Sequence, residues 1–250
     1  MKYFIICLFT LLLTTSCKND LPALARIEGK QVPINETIKP NKDIENFIKP
    51  YKEHVGKEMS QGLSYTPTNL DRTDGEMEST LGNLMADLTY WKGNAIFKTR
   101  TGKTVDFALL NFGGIRAGIT AGPITMEHAF NLMPFENALV VVELSAEKVK
   151  EIADYIIQVG KAQPVSSQFN LKITKTGYQL KINNAPLNMS KTYFVLTTDY
   201  LQNGGDNMNF FKDPINIYPT DYKLRNAIID YLSENDTIKA TLDNRITIEK

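Results

Sequence analysis

The chain has 250 residues, with 28 Lys and Arg against 28 Asp and Glu, 42% hydrophobic residues and 10% aromatic ones. That is the composition of a globular protein, and the length suits one domain with a full core. The balanced charge argues against a nucleic-acid polymer as partner, because polymer binding depends on many cations neutralising phosphates.

The first residues set an address. Lys2 is followed by the apolar run Tyr3 to Leu13 and then by Thr14-Thr15-Ser16-Cys17, the pattern of a secretory signal. The run is too short to span a bilayer. Leu13 to Cys17 resembles a bacterial lipobox, which implies cleavage before Cys17 and lipidation of that cysteine. A plain cleaved signal is the alternative. On the lipobox reading residues 1–16 leave and the protein is an exported lipoprotein of the periplasm or cell surface, touching a membrane only through its lipid. Cys7 then departs with the signal, leaving no thiol or disulfide in the folded part. Residues 17–42 are polar, carry Pro22, Pro33 and Pro40, and read as a tether to a domain spanning 43–250.

From Asn41 the spacing of Ile44, Phe47, Ile48, Tyr51 and Val55 predicts a core-facing helix that Pro50 should kink or split. Thr80 to Trp91 repeats that spacing through Leu81, Leu84, Met85, Leu88 and Trp91, with Glu76 and Glu78 near its start, where a helix dipole favours negative charge. Val105–Asn111 is a short apolar run ended by Gly113-Gly114, and Leu139–Leu144 is another; both read as buried strands. Ser145–Ile157 is an amphipathic helix with Val149, Ile152, Ala153 and Ile156 on one face. Gln168–Ile173 and Tyr178–Ile182 flank Lys175-Thr176-Gly177 as a hairpin. Lys191–Thr198 is a further strand, Thr220–Leu232 a helix, and Arg245–Ile248 a closing strand. Mixed strands with interspersed helices predict an α+β fold with mixed sheets flanked by helices.

Three loops concentrate the unusual residues. Asn111-Phe112-Gly113-Gly114-Ile115-Arg116 joins two glycines, which let a ligand approach the backbone, to an arginine with a planar donor fork. Pro134-Phe135-Glu136-Asn137 offers a flat apolar ring and an amide that both donates and accepts. Thr198 to Asp206 holds a second glycine pair, Gly204-Gly205, followed by a carboxylate suited to sugar hydroxyls. Taken singly, the glycine pairs also fit tight turns, Phe135 also fits a core plug, and Asp206 also fits ordinary turn chemistry.

Taken in order and spacing, the stretch Glu78 to Asp87, Asn111–Arg116, Pro134–Asn137 and Tyr200–Asp206 resembles the C-terminal, substrate-specificity domain of the 5'-nucleotidases, over roughly Asp43 to the C-terminus. The resemblance implies a nucleotide clamp. Phe135 and Tyr200 stack on the two faces of the base, Asp206 and Arg116 hold the ribose hydroxyls, and Asn111, Gly113 and Asn137 line the base edge and pocket wall. Glu78, Gly82, Asn83 and Asp87 match the family's helix motif and read as structural. Two positions depart from the family. Tyr200 stands where phenylalanine is usual, and an arginine expected before the helix motif is replaced by Gly75, with Arg72 the nearest candidate ligand.

Complete 5'-nucleotidases carry two metals on an N-terminal metallophosphoesterase domain, and two-metal hydrolysis needs a cluster of His, Asp and Asn ligands. The sequence has only His54 and His128, without Asp-x-His, Gly-Asn-His or Gly-His-x-His segments. His54 reads as a solvated residue and His128 as a structural one. No catalytic residue and no metal ligand are therefore assigned in this chain. The expectation is a nucleotide-binding component whose divalent metals lie on a partner metallophosphoesterase chain, with a non-enzymatic surface receptor for nucleotides or nucleosides as the alternative.

Overall fold

The computed structural model describes residues 24 and 26–249; the signal, Cys17 and most of the tether's first residues lie outside them. The chain divides into two units, Met1–Ile48 and Lys49–Lys250. In the described part of the first, residues before Asn41 form no helix or strand, and Asn35 accepts from both the backbone and the hydroxyl of Thr37.

Helix α1 (Lys42–Met59) starts where the Asn41 side chain accepts from the amides of Asp43 and Ile44, a side-chain N-cap. The structure corrects the split at Pro50 and the core-facing role expected here. Pro50 sits inside one continuous helix, and none of the helix's residues is buried. A proline removes one backbone donor, a loss that water can offset on an exposed helix. The 3.6-residue spacing reports an apolar face, not what covers it.

The second unit is built around a four-stranded sheet of β2 (Phe107–Ala108), β8 (Thr192–Thr198), β4 (Ala138–Ser145) and β9 (Asn216–Lys223), side by side in that order. β2 runs parallel to β8, while β4 is antiparallel to both β8 and β9. Successive residues of β4 face opposite ways, as the pleat requires. Leu139 and Val141 join one apolar cluster with Leu81, Met85, Leu88, Ala227 and Ile228. Val140, Val142 and Leu144 join a second with Val149, Ile152, Ile156, Phe169 and Leu171. Both faces of the strand are covered, which is why LVVVEL reads as a continuous apolar run rather than an alternating one.

The first layer is formed by α2 (Thr80–Thr101) and, later in the chain, α6 (Leu224–Glu234). Ser79 caps α2 by accepting from the Gly82 amide, and left-handed Gly102 ends it. The other face of the sheet packs against α4 (Ala146–Val159) and a second sheet of four strands. In that sheet β5 (Phe169–Thr174) and β6 (Gly177–Ile182) form the expected hairpin, with β7 (Ala185–Pro186) antiparallel to β6 and β10 (Ile246–Ile248) parallel to β5. Short strands β1 (Gly62–Thr66) and β3 (Gly122–Thr125) pair antiparallel, and α3 (Met126–Leu132) follows β3 directly. The single turn α5 (Asp199–Gln202) follows β8 in the same way. The fold is α+β with mixed sheets, as the sequence pattern predicts.

Several boundaries differ. The helix expected from Thr220 begins only at Leu224, because Asn216–Lys223 is the edge strand β9. The strand expected over Val105–Asn111 is regular only at Phe107–Ala108, continuing as a single bridge from Leu109 to Val165.

The helix-motif residues are structural. Glu78, buried, accepts from the Asn83 side chain at 2.8 Å and from the amides of Asp243 and Asn244 at 3.2 and 2.7 Å. Asp87 accepts from the Ser167 amide and pairs with Arg245, which also bonds Asp243 and the Val165 carbonyl. Together these contacts tie the C-terminal residues to the start of α2. Gly82 allows the tight first turn, since a Cβ there would lie 2.6 Å from the Ser79 hydroxyl.

Candidate functional site

Strand register brings the three candidate loops to one end of the central sheet. Ala108 of β2 pairs in parallel with Leu196 of β8, so the residues following both strands leave on the same side. Thr198 at the end of β8 pairs with Leu139 near the start of β4, which sets the residues before β4 beside them. Asn111–Arg116, Pro134–Asn137 and Tyr200–Asp206 therefore meet although they lie far apart in the chain.

Between them is a cavity of about 290 Å³. All seven residues assigned to substrate from the sequence line it: Asn111, Gly113, Arg116, Phe135, Asn137, Tyr200 and Asp206, joined by Gly114. Phe135 is 41% exposed and Tyr200 45% exposed. That exposure removes the core-plug reading of Phe135. Two large rings left open in a concave site are unusual unless something covers them.

Asp206 is the centre of the polar network. Its Oδ1 accepts from the Tyr200 hydroxyl at 2.8 Å, and its Oδ2 accepts from Nδ2 of Asn111 at 2.6 Å. The first of these bonds raises the pKa of the Tyr200 hydroxyl, because the carboxylate stabilises the protonated phenol. Asp206 and Asn207 both adopt left-handed backbone, which aspartate and asparagine tolerate better than most residues. Tyr155 of α4, which the sequence reading passed over, donates its hydroxyl to the Asp206 carbonyl at 2.9 Å.

The glycines act by close approach. A Cβ on Gly205 would lie inside van der Waals contact of the Tyr200 ring, and one on Gly113 would be 3.3 Å from Oδ2 of Asp206. Arg116 donates to the Gly113 carbonyl at 3.3 Å and is otherwise exposed.

Arg72 does not line the cavity. Its guanidinium donates to the Ile115 carbonyl at 2.6 Å and lies 4.7 Å from the Phe112 ring centroid, so it holds the outer side of the glycine turn. Of the histidines, His54 is exposed beside Glu58, and Nδ1 of His128 accepts from the Thr125 amide in a capping box at the start of α3. Among the described residues, no three His, Cys, Asp or Glu side chains come together as a metal-holding group. The cavity offers one carboxylate, already hydrogen-bonded twice, beside amides and rings. This donor set fits an organic ligand rather than a pair of divalent ions.

The fold is an α+β domain, and its concave site presents two open rings, a carboxylate, two amides and an arginine. The family model described as "5'-nucleotidase, C-terminal domain" matches residues 56–213, and the chain belongs to that family. The trifunctional nucleotide phosphoesterase of Bacillus subtilis is 28% identical over 200 residues, covering 73% of this chain and 13% of its own length. The 5'-nucleotidase of Vibrio vulnificus is 28% identical over 201 residues, covering 75% of this chain and 34% of its own length. Among solved structures, a 5'-nucleotidase precursor of Thermus thermophilus superposes with a TM-score of 0.66 at 25% identity, covering 82% of this chain and 42% of that one. The chain thus spans less than half the length of each of these relatives.

Proposed function

We propose that this chain is the nucleotide-binding specificity component of a 5'-nucleotidase, with the dimetal hydrolytic centre supplied by a separate metallophosphoesterase chain. The observation that carries the reading is the convergence of Phe135, Tyr200, Asp206, Asn111 and Asn137 on one cavity. Each chemical part of a nucleoside has a partner there. The base stacks between the rings of Phe135 and Tyr200, its edge meets the amides of Asn111 and Asn137, and the ribose hydroxyls meet Asp206 and Arg116.

Stacking contributes about 1–3 kcal/mol per base–aromatic contact, so two faces supply a large part of the roughly 8 kcal/mol that corresponds to micromolar affinity. The chain's own task is to bind and orient, which presents the 5'-phosphate to metals held elsewhere. That orientation counts because a phosphate fixed against activated water reacts far faster than a freely diffusing one. On the lipobox reading, Cys17 keeps the domain at the membrane where such a partner would act.

The test is phosphate release from AMP by the purified chain, with and without a metallophosphoesterase encoded beside it. Release is expected only with the partner. Release by the chain in isolation would end the division of labour, and tight nucleoside binding without any phosphoesterase association would favour the receptor alternative.

A further inference from the structure

The Phe135 loop is held from behind by a residue that takes no part in lining the cavity. Lys223 at the end of β9 pairs with Ala138 of β4, so the first turn of α6 lies against residues 133–137. The contacts there are dense. The Leu224 amide donates to the Asn137 carbonyl at 3.0 Å. Arg225 is only 9% exposed, and its Nη1 lies 3.4 Å from both the Met133 and the Phe135 carbonyls. Its other terminal nitrogen pairs with Glu136, which also pairs with Lys223. The guanidinium carbon sits 4.3 Å from the Phe130 ring centroid.

A buried guanidinium is costly unless its donors are met. Here every partner belongs to α3 or to the loop that follows it. The loop itself is a poor anchor for a ring: residues 134–136 are all exposed. The side chain that faces the ligand is therefore left open while the backbone beneath it is clamped.

We propose that Arg225 is the positioning residue for the stacking face of Phe135, fixing residues 133–137 so that the ring stands ready before the ligand arrives. This rests on the reading that the cavity takes a nucleotide base. A planar fork is required, because one group must reach two carbonyls and a carboxylate at once. Lysine carries the charge but presents a single flexible ammonium. Arg225→Lys therefore leaves a positive charge while releasing the loop, and the ring must then be ordered at the ligand's expense, a cost equivalent to about two- to tenfold in affinity for one side chain.

The experiment is a double-mutant cycle read by calorimetric titration with AMP, GMP, CMP and UMP, using R225K, F135A and the combined variant, with thermal melting measured alongside. E136Q, which removes the pairing charge but keeps the loop's shape, serves as a second probe should R225K fold poorly. R225K is expected to weaken the best ligand about fivefold in the native background and less than twofold in the F135A background, because the ring whose position it sets is then absent; E136Q is expected to show the same pattern at about threefold. Equal losses in both backgrounds, or unchanged affinity in R225K and E136Q, would overturn the proposal while leaving the nucleotide reading in place. Absence of binding by the native chain to all four nucleotides would instead remove that reading, and this proposal with it.

Discussion

The hydroxyl of Tyr200 donates to Oδ1 of Asp206 at 2.8 Å, joining the ring assigned to the base with the carboxylate assigned to the sugar. A phenylalanine at this position, which the family resemblance leads one to expect, would keep the ring and lose the bond. Tyr200→Phe therefore separates the two roles. It should bind AMP within about threefold of the native chain, whereas Tyr200→Ala, which removes a stacking face, should bind at least about tenfold more weakly. Titration calorimetry on the two variants decides between ring and hydroxyl. An equal loss in both would mean that the ligand uses the hydroxyl.

Gly205 offers a steric test of the same ring. A methyl group there has no room beside Tyr200, yet the obstacle is an exposed side chain rather than packed backbone, so the ring moves and the fold stays. Gly205→Ala should lower AMP affinity about tenfold, the worth of one stacking face, with a melting temperature close to that of the native chain. A large drop in melting temperature with unchanged affinity would show that the glycine serves the loop's backbone instead.

Phe135 is the ring proposed for the opposite face, and its exposure means that truncating it opens no core cavity. Phe135→Ala should cost about tenfold or more in nucleotide affinity and little in stability. Chemical denaturation beside ligand titration separates these effects, and a loss of stability without a loss of binding would return Phe135 to a packing role.

Away from the site, acid should loosen the tie between the C-terminal residues and α2. Burial pushes the Asp243 carboxyl up, but its hydrogen bonds and charge interaction with Arg245 outweigh that and hold it below its ordinary value. A carboxylate depressed in the folded state adds stability above its unfolded pKa and loses it as pH falls through the folded one. Asp243→Asn should therefore be less stable than the native chain at pH 7, and the gap should close as pH falls below about 4. Urea unfolding at a series of pH values measures this; a gap that stays constant to the lowest pH would exclude the carboxylate's charge as the cause.

What the sequence made legible follows from how local each signal is. Val140, Val142 and Leu144 announce a buried strand because both faces of β4 are covered. The glycine pairs mark turns, but each has an ordinary turn reading on its own, and only their order and spacing with Phe135 and Tyr200 point to a site. The edge strand β9 was hidden by Pro219 and by Asp221, a residue with left-handed backbone; an edge position tolerates both, but neither reads as strand. The face of α1 was misread because its spacing cannot specify a covering element. Arg225 and Tyr155 were missed for a different reason. Each lies on an amphipathic helix, where a polar residue reads as solvent-facing, and only the tertiary register shows that one holds the Phe135 loop and the other the Asp206 carbonyl.

The most direct test of the nucleotide clamp is titration of the native chain and of the Phe135→Ala, Tyr200→Ala double variant with AMP, GMP, CMP and UMP. The account predicts dissociation constants in the micromolar range for at least one nucleotide with the native chain, and loss of measurable binding in the double variant, as removal of two stacking faces requires. Failure of the native chain to bind any of the four, or equal affinity in the double variant, would contradict it.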